Sequence, residues 1–167
     1  MTTAFAPGML PEEYEDLRQG VAKFADEEVA PVSAELDAKH EFPYDLVAKM
    51  GQMGLFGLPF DEEYGGMGGD YFALALALEQ LGRVNQSVAI TLEAGVSLGA
   101  MPLLKFGTEE QKEWFLPRVL SGEDLWCQGF SEPDAGSDAF GGMKTYVKRD
   151  GPDYLLNGQK TFITNGP

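Results

Sequence analysis

Trp126-Cys-Gln-Gly-Phe-Ser-Glu-Pro-Asp-Ala-Gly-Ser-Asp138 is the stretch at which this chain changes its period. Trp126 to Ser131 reads as a strand. Pro133 fixes its own φ and holds Glu132 extended, and Gly136 permits a turn that presents Ser137. Two hydroxyls, Ser131 and Ser137, are therefore expected on either side of one bend. Two hairpin signals follow. Met143 to Lys148 alternates in polarity, Asp150-Gly151 marks a turn, and Tyr154 to Leu156 supplies the returning strand. Asn157-Gly158 then reads as a second two-residue hairpin turn, leading into Thr161-Phe-Ile-Thr-Asn-Gly-Pro167.

Upstream of Trp126 the spacing is helical. Leu17, Val21, Phe24, Ala25, Val29, Val32 and Leu36 recur on one face, with Pro31 expected to end or kink the helix near its middle. Pro43 suits the first residue of a second helix, where its missing N–H is harmless. Leu46, Val47, Met50 and Met53 form that helix's apolar stripe, and Gly51 and Gly54 close it. Tyr64-Gly-Gly-Met-Gly-Gly69 is a loop without the Lys or the strand-loop-helix spacing of a phosphate-binding loop. Tyr71 to Leu81 is apolar on almost every side, the pattern of a central bundle helix. Thr108-Glu-Glu-Gln111 has capping-box spacing and opens a helix that Trp114, Phe115 and Leu116 are expected to anchor. His40 falls in an inter-helix loop at the surface.

Composition narrows the class of function. The 167 residues are 44% hydrophobic and include 11 Phe, 6 Tyr and 2 Trp, enough to build a core and too aromatic for a disordered chain. The net charge is −15, and it is unevenly spread: residues 1 to 63 carry 14 acids and 4 bases, residues 125 to 167 carry 5 and 4. A nucleic-acid partner, which requires clustered Lys and Arg, is excluded by that balance. The nearly neutral C-terminal part is able to accept an anionic ligand. Cys127 is the single cysteine, so an intrachain disulfide and a cysteine zinc cluster are both impossible. With no signal-type segment at the start, a reducing cytoplasm is the expected location. Val88 to Phe106 is the most membrane-like run, but Glu93, Gly95, Gly99 and Pro102 interrupt it, and it reads as a buried helix.

The segment Ser131-Glu-Pro-Asp-Ala-Gly-Ser-Asp138 resembles the signature of acyl-CoA dehydrogenases. Glu62-Glu-Tyr-Gly-Gly66, Ser97-Leu-Gly99, Phe106-Gly-Thr-Glu-Glu-Gln-Lys112 and Leu156-Asn-Gly-Gln-Lys160 resemble further landmarks of that family, in the family's order. One such match says little; the ordered set is specific and covers nearly the whole chain. The fold class it implies is a mainly α N-terminal bundle followed by an incomplete antiparallel β domain. Residues 1–123 would form the all-α domain and residues 124–167 the first part of a flavin-binding β domain. The family's second helical domain, with its carboxylate base and much of its tetramer interface, has no counterpart before Pro167.

The resemblance also implies a chemistry. Family members bind FAD and convert an acyl-CoA thioester to the trans-2-enoyl-CoA, as in fatty acid β-oxidation, passing electrons to an electron-transfer flavoprotein. A flavin needs hydroxyl and backbone groups along its polar edge and an apolar or aromatic wall against its flat face. By resemblance, Gln128, Phe130 and Ser131 lie along the flavin, Ser137 contacts its phosphate or the substrate region, and Phe162, Ile163 and Thr164 form the second segment. Many relatives carry Trp at the position of Phe162. Taken singly, Ser131 is more simply a strand-end hydroxyl and Phe162 a core aromatic; within the motif the cofactor role is favoured. Glu93 either caps an acyl cavity or faces solvent, the second being favoured. None of Glu132, Asp134 and Asp138 suits the family's base, so no catalytic residue and no metal ligand is assigned. The chain alone is expected to be inactive, its full-length parent a homotetramer or hetero-oligomer without a membrane partner. An acyl-CoA oxidase-like flavoenzyme and a non-catalytic subunit of a larger flavoprotein assembly are the alternatives.

Overall fold

The computed structural model describes residues 10–166; the N-terminal residues read above for a targeting signal, and Pro167, lie outside them. A bundle of helices comes first: α1 (Glu12–Phe24), α2 (Ala30–Lys39), α3 (Tyr44–Gln52), α4 (Tyr71–Val84), α5 (Gln86–Glu93), α6 (Met101–Phe106) and α7 (Glu109–Leu120). A four-residue helix, α8 (Ala139–Gly142), and an antiparallel hairpin of β1 (Tyr146–Asp150) and β2 (Asp153–Asn157) complete it. The fold is thus mainly helical, with a short antiparallel hairpin after the bundle.

Proline shapes two of these helices in the same way. Pro31 does not end the first one: a π-helical turn, Ala25–Val29, joins α1 to α2, and Pro31 is the second residue after it. Between α5 and α6 the π turn Ala94–Ala100 is likewise followed by Met101-Pro102. A proline ring collides with the carbonyl four residues back and has no N–H to donate. One extra residue per turn relieves both problems without breaking the helix. By length and composition, the run Gln86–Phe106 is apolar enough to cross a membrane, with mean hydropathy 1.5, yet 56% of that window is buried within the fold.

Phe56, Phe60, Met50, Leu81, Leu92 and Leu116 are among the largest wholly buried side chains, and they meet Val21, Phe24 and Val29 of the first helical run. α4 packs against both α1 and α5, as expected of a central helix, although Tyr71 and Phe72 at its start are partly exposed. Asp70 caps it by accepting from the Ala73 N–H at 2.9 Å. The glycine loop is structural, since Met67, Gly68 and Gly69 donate backbone bonds to Gly57, Phe60 and Leu58 at 2.9, 2.8 and 3.1 Å. His40 is exposed, and at φ 55° its left-handed backbone ends α2.

Four local expectations need correction. Pro43 caps α3 from outside instead of opening it, and Gly51 lies within the helix. The capping box of Thr108 and Gln111 forms, but Trp114 is 71% exposed and Phe115 38% exposed; Leu116, Val119 and Leu120 bury α7. Two residues further round a helix is about 200°, which turns Trp114 away from the face of Leu116. Gly136 has no positive φ and no neighbour near its Cα; the bend is instead made one step earlier, where Glu132 and Ala135 exchange backbone bonds of 2.7 and 3.1 Å. Finally, Gly151-Pro152 closes the one hairpin with Gly151 at φ 62°, whereas Asn157-Gly158 ends β2 without starting another. Gly158, at φ 148°, presses onto Thr145, and its chain is drawn back toward Ser131.

Gly51 permits a close approach of α3 to the end of α7: a Cβ there would overlap Ser121 O and sit 3.1 Å from Gly122 Cα. Backbone cannot yield as a side chain can, so Gly51→Ala should destabilise the fold by about 1–3 kcal/mol. Gly20, inside α1, has nothing within 4 Å of the same position. Gly20→Ala should stabilise by about 0.5–1 kcal/mol through helix propensity. Urea unfolding of the two variants against the parent measures both.

Candidate functional site

The candidate site is built where two unpaired segments, 126–131 and 160–165, cross the end of the helical bundle. Trp126 roots the first. Its Cβ lies 2.9 Å from where a Cβ on Gly99 would be, so the glycine lets the strand-like segment settle on the π turn. Its ring meets Phe115 edge-on at 5.4 Å. Beyond it, residues 127 to 131 form no ladder among the described residues, contrary to the strand expected. One backbone bond, Thr161 N–H to Ser131 O at 2.9 Å, joins the two segments among the described residues. Phe162 then enters the left-handed region at φ 55°, which ends any continued pairing.

Asn165 roots the second segment. Its Nδ2 donates to Thr91 O of α5 at 3.0 Å and to Trp126 O at 3.4 Å, tying both segments to the same helix. Thr91 O, three residues before the π turn, accepts both the Ala94 N–H and this outside donor.

Gln128, Phe130, Ser131, Phe162, Ile163 and Thr164 line one recess of about 140 Å³, floored by Ala94 and Leu98 of the π turn. Six of the seven candidate residues are thereby brought together. Ser137 is not: it is exposed on the loop before α8, where Asp138 accepts from the Gly141 N–H at 3.0 Å. The lining combines two hydroxyls with aromatic and aliphatic surface and contains no charged side chain. Phe130 is 47% and Phe162 93% exposed, so two aromatic rings stand with open faces. Pockets that enclose a drug-sized molecule measure about 300–1,000 Å³. This recess offers one wall of such a site. A second hollow of about 340 Å³, lined by Phe42, Ile90, Thr91, Thr164 and Asn165 among others, adjoins it through Thr164. A groove of about 370 Å³ between α2 and α3 contains none of the candidate residues.

What the sequence did not single out is the partner of Lys160, a carboxylate considered there only as a base. Glu132 is only 6% exposed. Its Oε2 accepts from the Lys144 N–H at 2.6 Å, and its Oε1 from the Thr145 N–H at 3.0 Å and from the Lys160 ammonium at 2.9 Å. The Thr145 side chain, the Lys144 N–H and the Lys160 ammonium hold the carboxyl down to about 2. Thr145 Oγ1 makes no hydrogen bond of standard geometry, so the two backbone N–H groups and the ammonium carry that effect. Glu132 is thus committed to structure. Asp134 is lowered by its bond to Lys144 at 2.9 Å, and Glu93 is half-buried outside the recess. A signal for Glu132 and Lys160 existed in the sequence, as opposite charges inside the two quoted motifs, but their pairing is nonlocal.

Residues 11–123 match the pattern of the acyl-CoA dehydrogenase N-terminal domain and residues 127–167 that of the acyl-CoA dehydrogenase middle domain. A probable acyl-CoA dehydrogenase of Bacillus subtilis is 47% identical over 156 residues, 93% of this chain and 41% of the relative. The chain therefore spans about two fifths of that relative's length. A chain in a structure of the electron-transferring flavoprotein of Acidaminococcus fermentans superposes with a TM-score of 0.91 at 42% identity, covering 96% of this chain and 42% of that one. The acyl-CoA dehydrogenase of Bacillus anthracis complexed with FAD gives 0.89 at 38% identity, over 96% and 28%.

Because folding lowers the Glu132 carboxyl from its ordinary 4.5 to about 2, its contribution is complete above pH 4.5 and is lost as pH falls through about 2. Amide exchange on the peptide holding Lys144 and Thr145 should therefore keep its protection at pH 4.5 and lose it toward pH 2. Loss of that protection between pH 6 and 4.5, with α7 still protected, would contradict the assignment.

Proposed function

This chain belongs to the acyl-CoA dehydrogenase family, and from that premise we propose that it forms the helical domain, residues 1–123, and the first part of the flavin-binding β domain, residues 124–167, of an enzyme that oxidises an acyl-CoA thioester to its trans-2-enoyl form. One observation carries the reading: six residues from two segments converge on an uncharged recess whose aromatic faces and hydroxyls suit a flat, hydrogen-bonding ring.

FAD in this recess would supply the acceptor for the hydride leaving the β-carbon. Ser131 and Thr164 would donate from opposite segments to the ring's polar edge. Phe130 and Phe162 would cover its flat surface and keep water from it. Ala94 and Leu98, on the floor, would hold the reacting carbons against the ring, with the hollow beside Ile90 and Phe42 receiving the acyl group. Ser137 would reach a phosphate or the thioester side from its exposed loop. The lining contains no carboxylate, and Glu132 is bound on every side, so the α-proton would pass to a base outside the described residues. A cofactor held on one wall alone binds weakly, so groups from outside residues 10–166 would complete the FAD site. The likeness to a chain in an electron-transferring flavoprotein structure supports such a flavoprotein as the electron acceptor. The free, exposed Cys127 accords with a reducing cytoplasm.

The test is flavin content. The intact protein should release noncovalent FAD on denaturation and be bleached by acyl-CoA under anaerobic conditions; a protein neither containing nor binding FAD would refute the proposal. Ser131→Ala and Thr164→Val should each weaken FAD binding by about 0.5–1.5 kcal/mol, the net worth of one neutral hydrogen bond. The apoprotein's thermal midpoint should stay within about 1 °C, because among the described residues neither hydroxyl makes a bond within the fold. An equal loss of midpoint and of FAD binding would assign these hydroxyls to the fold instead.

A further inference from the structure

The two segments that face each other across the recess are held by very little backbone. Among the described residues, Thr161 N–H to Ser131 O is the one main-chain bond between them, and at Phe162 the backbone turns left-handed. Two such segments would slide unless something else set their register. Lys160 does this with its side chain. Its stem runs across Gly129, where an added Cβ would meet Lys160 Cγ at 3.6 Å. Its ammonium then donates to Phe130 O at 2.8 Å and to Glu132 Oε1 at 2.9 Å. One residue thus grips the opposite segment at three points, Gly129, Phe130 and Glu132. Those points bracket Phe130 and Ser131 of the recess, while Lys160 itself immediately precedes the segment bearing Phe162 and Thr164.

We propose that Lys160 is the positioning residue of the recess: its ammonium, seated on Phe130 O and Glu132, stands in for the absent ladder and fixes the span between the Ser131 and Thr164 hydroxyls. Glu132 is the other half of the device. Because it also accepts from the Lys144 and Thr145 N–H groups, it anchors the grip to the chain entering β1. The Lys160 side chain is 26% exposed and Glu132's 4%, so salt screens the pair less than one on open surface. Lys160 does not line the recess and acts only through the segments it joins. The cofactor part of this inference rests on the flavin reading above; the register part does not.

The experiment compares Lys160→Met, which keeps the stem and removes the donors, with Lys160→Arg, which keeps charge and donors, in the intact protein. Three quantities are read: hydrogen exchange of the peptide containing Thr161, the FAD dissociation constant with the shape of the visible flavin band, and the apoprotein's thermal midpoint. Lys160→Met should expose the Thr161 amide to exchange while α7 stays protected. It should also weaken FAD binding by about tenfold or more, the scale of a lost charge-assisted bond, and shift the flavin band. Lys160→Arg should restore parental exchange and bring binding to within about threefold of the parent. Unchanged exchange at Thr161 in Lys160→Met would overturn the proposal. So would weakened binding that Lys160→Arg fails to rescue, with the midpoint falling in proportion, which is the signature of general destabilisation. If the parent binds no FAD but Thr161 still loses protection in Lys160→Met, the register role stands and the flavin reading falls.

Discussion

The helical run from Gln86 to Phe106 has to serve two surfaces at once, and the rest of the molecule is arranged around how it does so. Val88, Leu92, Val96 and Ala100 recur every fourth residue and are buried in the core, where Leu92, Val96 and Ala100 are fully enclosed. Ile90, Ala94 and Leu98, on the other side and at the same spacing, face the hollow and the recess. The π turn at Ala94–Ala100 lies between these demands. It accommodates Pro102 without breaking the helix, and at its start Thr91 O is taken up by Asn165. The small residues Gly95 and Gly99 let Phe56, Leu125 and Trp126 approach the backbone. Core and site thus share one helix, and a change that shifts it is felt in both.

Glu132 and Lys160 illustrate a different economy. Removing a carboxylate from water is unfavourable, and an ion pair offsets that only when the remaining lone pairs are also filled. Here two backbone N–H groups and the ammonium fill them. The carboxylate is enclosed by loops at the end of the bundle, not by a deep apolar interior, so its attraction for Lys160 is moderated by nearby solvent. Such a pair is better suited to fixing geometry than to supplying net stability. The hairpin depends on it too: β1 and β2 are exposed on both faces, and an isolated two-stranded sheet is marginal in water. The bonds from Lys144 and Thr145 to Glu132 tie its first strand to the segment it follows.

Much of this architecture was legible in the residues because its causes are local. Helical periodicity, the capping box at Thr108 and Gln111, the turn beginning at Asp150-Gly151 and the structural glycine loop each depend on residues within a few positions of one another. The ordered family landmarks likewise lie in the linear chain, so the family and the candidate recess residues could be named from it. Where the reading failed, the deciding partner was remote. Asn157-Gly158 has the composition of a hairpin turn, but among the described residues no third strand pairs there. Trp114 belongs to an apolar cluster, but Leu116 takes the buried face.

The sequence by itself determined the kind of molecule: a helical bundle of the acyl-CoA dehydrogenase family, then an antiparallel hairpin. Only the tertiary structure decided which of the candidate residues meet. It brought six of the seven candidates into one recess and left Ser137 outside, set a π turn beneath them, and enclosed Glu132 with Lys160 behind them. The physical reason is that side-chain chemistry and local backbone preference are properties of short segments. Burial, register and ion pairing are properties of contacts between segments, and Glu132 and Lys160, 28 positions apart, have no means of announcing theirs in one dimension.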